Sequence, residues 1–415
     1  MQPIVVIGTG LAGWSVVREL RKRAPDPAAM PITLVTHGSG DFYAKPSLSN
    51  AFAQGKTPTQ LVSTPAEKMA TTQQVQLLAH TRVLRIDTTA QQLHTSAGVL
   101  GYRQLVLASG AQPIRVPLQG DAAAQVLPVN SLEDFALFHQ QLVELQKEPE
   151  NEAKASANAH GCCVSSSENN SKLSAKKQIV IMGAGLIGCE FANDLVQAGH
   201  RVSVVDPGTR PLAALLPEEA SRQLQIALSA AGVQWHWGCT VQAVNHAQSS
   251  TDAGRLALQL SNGSQLPADV VLSAIGLRAD IGLAQAAGLR CERGICVDTL
   301  LQTSAAHVYA LGDAAQYAHG ATLPYVMPIM AAAKALAATL AGQPTPVVFP
   351  VMPVGIKTPA LPLVVAPPPL GTLGQWQQAE AGIWRFVDAQ GQVRGFALAG
   401  PSTARRAEQI KMLQI

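Results

Sequence analysis

Two sets of closely spaced glycines are the residues of this chain most typical of a chemical function. The first set comprises Gly8, Gly10 and Gly13. The apolar run 4–7 precedes these glycines and a helical pattern over 14–23 follows them, so the spacing G-x-G-x-x-G indicates a dinucleotide site. The first glycine permits a tight turn, the second lets a pyrophosphate approach the backbone, and the third lets helix and strand pack closely. The free N–H groups at the start of the helix would then bind the phosphates.

The second set of glycines repeats this design in the middle of the chain. Gly183, Gly185 and Gly188 follow an apolar run and precede a helical pattern that reaches residue 198. A single glycine motif has a high false-positive rate. Two copies, each between a predicted strand and a predicted helix, form an internal repeat and predict an enzyme that binds two dinucleotides.

The two copies differ at the end of their second strand. In the later copy this strand ends in Asp206, at the distance expected for a carboxylate that binds the ribose hydroxyls of NAD. Asp206 would repel the 2′-phosphate of NADPH, although Arg210 nearby keeps that coenzyme open as the alternative. In the first copy Thr36 and His37 occupy the corresponding place, so we expect the ribose to be held differently there.

Composition limits the class of protein. With 415 residues, 47% of them hydrophobic and 14% charged, the chain is long enough for two or three compact domains. A formal charge of +3 without a dense basic block argues against binding of nucleic acid. No apolar run reaches the length of a membrane span and no signal peptide is visible. We therefore expect a cytoplasmic protein without membrane insertion.

The cysteines exclude several redox mechanisms. The six cysteines form neither a disulfide scaffold nor a zinc pattern, so no metal site is expected. A disulfide reductase would need a cysteine pair near the first helix, but Cys162 is the first cysteine of the chain. Cys291 and Cys296 have a C-x4-C spacing, which some flavoenzymes use for redox chemistry. They lie in two extended pieces around a turn and are interpreted as incidental.

Two charged residues lie in segments that could contact a bound cofactor. Lys45 precedes Pro46, which disfavours a helical conformation, and position alone favours a solvated loop lysine. Asp313 ends a short strand predicted over 307–313 and is suited to bind a polyol hydroxyl, with a helix-capping aspartate as the alternative. A long apolar helix is predicted over 323–340.

The order of elements predicts an α/β fold with two Rossmann-like dinucleotide-binding domains and a small C-terminal α+β domain. The first domain would comprise 1–115 and 281–342, the second 116–280 and the last 343–415. Residues 148–177 are small and polar, and predict a flexible insert within the second domain. A helix is predicted over 131–147, with Ser131 as its N-cap and Asp134 three residues on.

Eight stretches spread over nearly the whole chain resemble one family. They are GTGLAG, YAKPSLS, LVLASGAQPIRVP, GAGLIGCEFANDL, SAIGLR, YALGDAA, LPYVMP and IKTPALPLVV. Together they resemble the bacterial NADH-dependent rubredoxin reductases, which are FAD proteins of the glutathione-reductase-like superfamily. YAKPSLS and IKTPALPLVV are the narrower signals. These two stretches are also similar to reductases that serve flavorubredoxin in nitric oxide reduction.

The resemblance implies a set of residues that bind FAD. The first glycine motif would hold the pyrophosphate through Gly8, Thr9, Gly10, Leu11, Ala12 and Gly13. Thr36 and His37 would lie at the adenosine, whose adenine would contact the backbone of Val83. Asp313 would bind the ribitol chain. Val326, at the start of the long helix, would lie by the pyrimidine edge of the flavin, where a helix N-terminus stabilises negative charge.

The resemblance also implies the charged residues at the reacting atoms. Lys45 and Glu190 would form an ion pair that flanks the flavin N5 region, as the catalytic residues, and Lys357 would approach the flavin from the last domain. The second glycine motif, with Asp206, would bind NADH. The nicotinamide would then pass a hydride to the flavin, and the protein would supply orientation and electrostatics.

The same residues restrict the electron acceptor. Without a cysteine pair or a lone cysteine at 42–46, electrons would leave the flavin one at a time to a docked carrier. Rubredoxin, or a similar small acidic iron–sulfur protein, suits the mildly basic chain, and Arg405 and Arg406 of a terminal helix predicted over 403–413 form the hypothetical docking site. The alternatives are reduction of flavorubredoxin or of a [2Fe–2S] ferredoxin. An alternative of another class is a slow-turnover FAD- and NADH-binding signalling protein of the apoptosis-inducing-factor type.

Overall fold

A computed structural model describes residues 1–143, 176–248 and 255–413 of the chain. The predicted insert 148–177 lies outside the described residues except for its last two. The predicted helix 131–147 is helical over 132–143, and its remaining residues are not described. Its cap is confirmed, because the Asp134 N–H donates to Ser131 Oγ at 3.0 Å and the Ser131 N–H donates to Asp134 Oδ2 at 3.0 Å.

The first nucleotide unit is built on a parallel sheet of five strands. In spatial order these strands are Val308–Ala310, Gln104–Leu107, Ile4–Ile7, Ile32–Val35 and Gln76–Leu78. The central strand Ile4–Ile7 is buried on both faces, which is why it is a continuous apolar run. Helix Leu11–Arg23 follows directly and packs against the long helix Val326–Leu340. The long helix begins three residues later than the sequence predicts.

The second nucleotide unit repeats this arrangement. Its parallel strands are, in spatial order, Val126–Pro128, Val270–Ser273, Gln178–Met182, Arg201–Asp206 and Val233–Trp237. Helices Leu186–Gln197 and Glu218–Ala230 contribute apolar residues to one buried cluster. A three-stranded antiparallel sheet, Val241–His246, Leu256–Leu260 and Gln265–Ala268, contributes to a separate cluster. In each unit the glycine loop follows the central strand of the parallel sheet, so it lies at the same edge of the sheet as the end of the next strand along the chain.

Smaller elements surround these two sheets. One of them is a three-stranded antiparallel sheet, Val83–Asp87, Gln92–Thr95 and Gly98–Gly101. Three short ladders pair Phe42–Tyr43 with Val62–Thr64, Ala111–Pro113 with Leu277–Ala279, and Ile295–Cys296 with Ala315–Gln316. The short helices are Pro58–Leu61, Ala66–Gln73 and Gly282–Ala286, and the 3₁₀ helices of this part are Lys45–Asn50, Ala123–Gln125 and Gly312–Ala314.

The C-terminal unit is an antiparallel sheet of five strands. Their spatial order is Val354–Ile356, Leu363–Ala366, Val393–Ala399, Ile383–Asp388 and Gly374–Glu380. Strands Ile383–Asp388 and Val393–Ala399 form a hairpin, and Gly391 has the positive φ (77°) that its turn requires. The described residues end in a 3₁₀ helix, Gly400–Arg405, and an α-helix, Arg406–Met412, so the terminal helix predicted over 403–413 is confirmed but begins three residues later as an α-helix.

The two parallel sheets with their helices and the C-terminal unit confirm the predicted α/β fold class. The non-helical conformation predicted for Lys45 is wrong, because Lys45 begins the 3₁₀ helix Lys45–Asn50 with Pro46 in its first turn, where a missing N–H is tolerated. None of the described helices is both long enough and apolar enough to cross a membrane.

Candidate cofactor site

The first glycine loop has one glycine for each predicted purpose. Gly8 has φ of 105°, and a Cβ there would lie 2.2 Å from the Ala108 carbonyl oxygen. A Cβ on Gly13 would lie 1.9 Å from the carbonyl oxygen of Gly8, so only glycine permits the contact between helix and strand. A Cβ on Gly10 would meet no atom within 4 Å. The open space in front of Gly10, at the start of a helix, fits a pyrophosphate.

The second glycine loop has the same geometry. Gly183 has φ of 104°, and a Cβ there would lie 2.6 Å from the Ala274 carbonyl oxygen. A Cβ on Gly188 would lie 2.0 Å from the Gly183 carbonyl oxygen, whereas a Cβ on Gly185 would meet nothing within 4 Å. The repeat that the sequence indicates is therefore present in three dimensions, with an open space at the middle glycine of each loop.

Asp206 lies next to the second loop, at the end of its strand. Its Oδ2 accepts a hydrogen bond from the Ala184 N–H at 2.7 Å, and its Oδ1 accepts one from the Gly208 N–H at 2.7 Å. Each carboxylate oxygen keeps a further lone pair, which ribose hydroxyls can use. The Arg210 guanidinium instead donates to the carbonyl oxygens of Leu216 and Ala213, at 3.0 and 3.1 Å. Arg210 is thus held by its own loop, which disfavours the NADPH alternative.

Thr36 and His37 lie at the corresponding edge of the first sheet. Thr36 is buried and His37 is exposed. The Thr36 carbonyl oxygen accepts from the Thr81 N–H at 2.8 Å, which brings the segment that leads to Val83 beside Thr36. The three residues predicted for the adenosine are therefore neighbours in space, and their role there stays a prediction.

Asp313 carries a buried acceptor that has no partner. Its Oδ1 is buried and makes no hydrogen bond, although nearly all buried polar atoms in proteins are paired. A Cβ on the preceding Gly312 would lie 3.0 Å from Ala12 Cβ, so this segment contacts the first glycine loop. Burial raises the pKa of Asp313, and the charge of Lys45 opposes that shift. An unpaired acceptor beside a pyrophosphate cradle fits a donor such as a ribitol hydroxyl, so these residues fit FAD.

Lys45 faces carboxylates of the first unit and of the segment that leads into the second. Burial lowers the pKa of Lys45, while the charges of Asp313 and Asp134 oppose that shift. Lys45 is half-buried in its 3₁₀ helix, which contradicts the alternative of a solvated loop lysine. Near a bound flavin, this cation would stabilise negative charge on the reduced ring.

The predicted ion pair between Lys45 and Glu190 is wrong. Within the described ranges, the cation within salt-bridge distance of the Glu190 carboxylate is Lys357, whose Nζ contacts Oε2. The Lys357 N–H donates to Glu190 Oε1 at 2.9 Å, and the Ser49 hydroxyl donates to Oε2 at 2.6 Å. Lys357 Nζ also donates to Ser49 Oγ at 3.0 Å. Glu190 of the second unit thus joins Lys357 of the C-terminal unit to Ser49 of the first.

Val326 is the first residue of the long helix and is 43% exposed. Ile329, one turn further, approaches Gly312, so the start of this helix is near Asp313. The free N–H groups of the first turn carry partial positive charge, which suits the flavin edge where negative charge develops.

Two residues of this region are absent from the predicted set. Ser49 lies within the YAKPSLS stretch, which resembles the family, but its contact with Glu190 was not predicted. The Asn130 Oδ1 atom is buried and unpaired, while its Nδ2 donates to the Ala111 carbonyl oxygen at 2.8 Å. Asn130 is thus a second buried acceptor without a partner. Nothing in its local sequence distinguishes it from a loop asparagine.

The four cysteines of the described residues are all free thiols. Cys291 lies opposite Ile295 in a tight antiparallel turn, and Cys296 is the next residue. Burial and the nearby Cys296 both raise the pKa of the Cys291 thiol, and the interpretation of this pair as incidental stays a prediction. Burial raises the pKa of the Cys189 thiol, which precedes Glu190 and donates to the Ala184 carbonyl oxygen at 3.3 Å. Across the described ranges, no group of three His, Cys, Asp or Glu side chains could hold a metal ion.

Two protein-family descriptions match this chain. Residues 2–338 match "Pyridine nucleotide-disulphide oxidoreductase", and residues 346–413 match "Rubredoxin binding C-terminal domain". The first match covers both nucleotide units, and the second covers the C-terminal unit.

Relatives of full length agree with these matches. A rubredoxin-NAD(+) reductase of Alcanivorax borkumensis is 42% identical over all of this chain and 99% of its own length. One of Acinetobacter baylyi is 38% identical over 98% of this chain and 96% of its own length. A nitric oxide reductase FlRd-NAD(+) reductase of Vibrio vulnificus is 36% identical over 96% of this chain and 94% of its own length.

A solved structure has the same fold. The covalent putidaredoxin reductase–putidaredoxin complex contains a chain that is 25% identical, with a TM-score of 0.80, over 99% of this chain and 93% of that one. Together with the two glycine loops and the matched C-terminal unit, these similarities show that the chain belongs to the pyridine nucleotide-disulphide oxidoreductase family, among the rubredoxin-NAD(+) reductases.

Proposed function

We propose that this chain is an FAD-dependent reductase that takes electrons from NADH and passes them singly to rubredoxin. The observation that carries this proposal is the junction at Glu190. The carboxylate lies on the helix that begins at the second glycine loop, and it holds Lys357 of the unit that matches a rubredoxin-binding domain. Ser49, in the same 3₁₀ helix as Lys45, completes the junction. Both nucleotide units and the carrier-binding unit therefore contribute to one place.

The residues of the chain divide the work between binding and electrostatics. Bound FAD supplies the chemistry that joins a two-electron donor to a one-electron acceptor. The first glycine loop and Asp313 anchor that cofactor, while Gly185 and Asp206 bind NADH. Lys45 and Lys357 provide positive charge on the sides of the site. We place the FAD-binding domain at 1–115 and 281–342, the NAD-binding domain at 116–280, the C-terminal domain at 343–415, and the protein in the cytoplasm.

Anaerobic stopped-flow spectroscopy of the FAD-loaded protein tests this function. We expect NADH to bleach the flavin absorbance rapidly, and oxidised rubredoxin to restore it with two carriers reduced per NADH. NADPH should bleach the flavin far more slowly, because Asp206 repels its 2′-phosphate. Slow bleaching with a persistent charge-transfer band would instead favour a slow-turnover signalling protein of the apoptosis-inducing-factor type. Equal rates with NADPH would contradict the role of Asp206.

Flavorubredoxin is a second candidate carrier. Relatives at 34–38% identity over at least 88% of this chain are nitric oxide reductase FlRd-NAD(+) reductases. The 42% identity to the rubredoxin-NAD(+) reductase of Alcanivorax borkumensis exceeds all of these values and favours rubredoxin. Steady-state rates with purified rubredoxin, flavorubredoxin and a [2Fe–2S] ferredoxin, each at equal concentration, would rank the carriers.

The charge distribution supports docking of an acidic carrier on the C-terminal unit. Residues 343–415 contain six Lys or Arg and three Asp or Glu, which leaves 24 of each sign in the rest of the chain. The whole formal charge of +3 therefore belongs to this unit. Opposite charge on a partner accelerates encounter and orients it.

The predicted docking residues need one revision. The Arg405 guanidinium donates to the carboxylates of Glu380 and Glu408, with its shortest contacts at 2.5 and 2.6 Å. These carboxylates neutralise Arg405, so it contributes little to the external field. Arg406 and Lys411 are exposed and have no ion-pair or hydrogen-bond partner in the described part of the chain. The docking hypothesis therefore moves to these two cations.

Reversal of both charges, Arg406→Glu with Lys411→Glu, should raise the KM for rubredoxin about tenfold at low salt. The salt dependence of that KM should also become flatter, while bleaching of the flavin by NADH stays unchanged. The control is Lys68→Glu with Arg201→Glu, which makes the same change in net charge at exposed sites of the two nucleotide units. If both double variants behave alike, only the net charge of the protein matters and this docking face is wrong.

A further inference from the structure

One face of the helix Leu186–Gln197 carries three buried polar side chains. Glu190, Asn193 and Asp194 are only 4, 2 and 3% exposed. Residues three and four apart in a helix lie on the same side, so the three side chains form one polar strip. Buried groups of this kind are tolerated when they are hydrogen-bonded. All three find their partners in other parts of the chain.

Asn193 holds the segment that carries Lys357. Its Oδ1 accepts a hydrogen bond from the Ala360 N–H at 3.0 Å, three residues beyond Lys357. The same segment contacts Glu190 through both the N–H and the Nζ of Lys357. The path of the chain from Lys357 to Ala360 is therefore fixed to the helix at both ends.

Asp194 holds the segment that follows Ser49 in the same way. Its Oδ2 accepts from the Phe52 N–H at 2.9 Å, and its Oδ1 accepts from the Ala53 N–H at 3.0 Å. Burial raises the pKa of Asp194, and these backbone donors oppose that shift. The difference between the two side chains matches their tasks. Asn193 offers one oxygen to one N–H group, whereas Asp194 offers two oxygens to two N–H groups.

These bonds matter because the partners of Glu190 come from distant parts of the sequence. Ser49 and Lys357 are 308 residues apart, so no local structure sets their separation. Among the described residues, the other hydrogen bonds between this helix and the two segments are those of Asn193 and Asp194. The helix begins at the second glycine loop, so it also sets the distance between a bound nicotinamide and both segments.

We propose that Asn193 and Asp194 are positioning residues of the electron-transfer site. Asn193 places Lys357, and Asp194 places the 3₁₀ helix that carries Lys45 and Ser49, against the bound FAD. This inference rests on the proposed function, because it takes both lysines to flank that cofactor. Loss of either hydrogen-bonding side chain would let a cation recede from the flavin without removing the cation.

The test combines each positioning residue with the lysine that it places. Holoenzyme is prepared for Asn193→Ala, Lys357→Met and their double variant, and for Asp194→Ala, Lys45→Met and their double variant. The measured quantities are the midpoint potential of the bound flavin, the dissociation constant of FAD from fluorescence quenching, and the rate of flavin bleaching by NADH. Asn193→Gln keeps an uncharged amide with an accepting oxygen and serves as the conservative variant. Gln197→Ala, at an exposed site of the same helix, is the control.

We expect Asn193→Ala to slow bleaching about fivefold, the effect of one typical hydrogen bond. The flavin potential should fall in the same direction as in Lys357→Met, and the double variant should match Lys357→Met alone. Asn193→Gln should bring these values back toward those of the parent protein, and Gln197→Ala should equal the parental values. Asp194→Ala should likewise change the flavin potential in the same direction as Lys45→Met, and their double variant should match Lys45→Met alone. If Asp194→Ala does not fold, Asp194→Asn takes its place in the experiment. Asp194→Asn keeps one accepting oxygen, so we expect an intermediate effect from it.

The outcomes distinguish failure of this inference from failure of the proposed function. If both lysine variants leave the potential, the FAD affinity and the bleaching rate unchanged, the proposed placement of the lysines beside FAD is wrong. If the lysine variants change these quantities but Asn193→Ala and Asp194→Asn do not, the positioning role is overturned. Effects that add to those of the lysines would overturn it as well, because they would show independent stabilisation of the fold.

Discussion

Gly10→Val should yield a folded protein that is colourless, because it no longer retains FAD. Gly10 has ordinary extended backbone, with φ of −69°, and an added Cβ meets no atom within 4 Å. The apoprotein therefore has room for valine. The same space is where a pyrophosphate would approach the N–H groups of the helix, and loss of several charge-assisted hydrogen bonds costs about 1.5–3 kcal/mol each. We expect FAD affinity to fall at least about 100-fold, measured by quenching of FAD fluorescence with apoprotein.

The repeated loop provides the matched control for this experiment. Gly185 also has open space at its Cβ and φ of −75°. Gly185→Val should keep FAD and its yellow colour but lose NADH-dependent bleaching, while dithionite still reduces the flavin. Gly13→Ala should behave differently from both, since its Cβ would lie 1.9 Å from a carbonyl oxygen and the fold itself would suffer. Loss of FAD from the Gly185→Val protein would show that the two loops have been assigned in the wrong order.

Lys357→Met should destabilise the holoprotein by about 3 kcal/mol, the lower end of the cost of breaking a buried ion pair. The Glu190 carboxylate is 4% exposed, and its remaining side-chain partner would be the Ser49 hydroxyl. An isolated buried carboxylate loses most of its hydration without compensation. The lower end is expected because the Lys357 side chain is itself 31% exposed. The measurement is the thermal unfolding midpoint at a fixed excess of FAD, since bound ligand shifts that midpoint.

A double variant distinguishes the ion pair from loss of packing. Glu190→Gln with Lys357→Met removes both charges and should be more stable than Lys357→Met alone by about 1 kcal/mol or more. A conservative replacement of the other predicted partner, Lys45→Met, should show no such coupling to Glu190→Gln. Additive effects for Glu190 and Lys357, together with coupling for Glu190 and Lys45, would instead support the ion pair between Lys45 and Glu190 that was predicted from the sequence.

The sequence determined the parts of the protein whose geometry is local. A glycine motif describes the backbone of six successive residues. The steric need for glycine at Gly8 and Gly13 is therefore already present in the strand–turn–helix pattern. The place of Asp206 at the end of its strand follows from the same periodicity, as does the capped start of the helix at Ser131. These features were predicted correctly because they depend on neighbours within one or two elements.

Contacts between distant segments were decided by the tertiary structure. The sequence offers Glu190 two lysines, Lys45 and Lys357, in equally prominent stretches. The choice of Lys357, 167 residues away, depends on how segments of all three units pack around one helix. Arg405 resembles a free docking cation in the sequence, but the hairpin brings Glu380 beside it from 25 residues upstream. Asn193 and Asp194 appear as ordinary polar residues of a helix until two other segments are placed against them.

The physical reason for this division is the range of the interactions involved. Backbone sterics and the periods of helix and strand act between residues close in sequence, so a single chain reports them directly. Burial and pairing of charge depend on which segments exclude water together, and many arrangements of the same segments would satisfy the local rules. The sequence of this reductase thus determined its two nucleotide loops, while only the packing of its three units decided which lysine neutralises Glu190 and which residues hold that lysine in place.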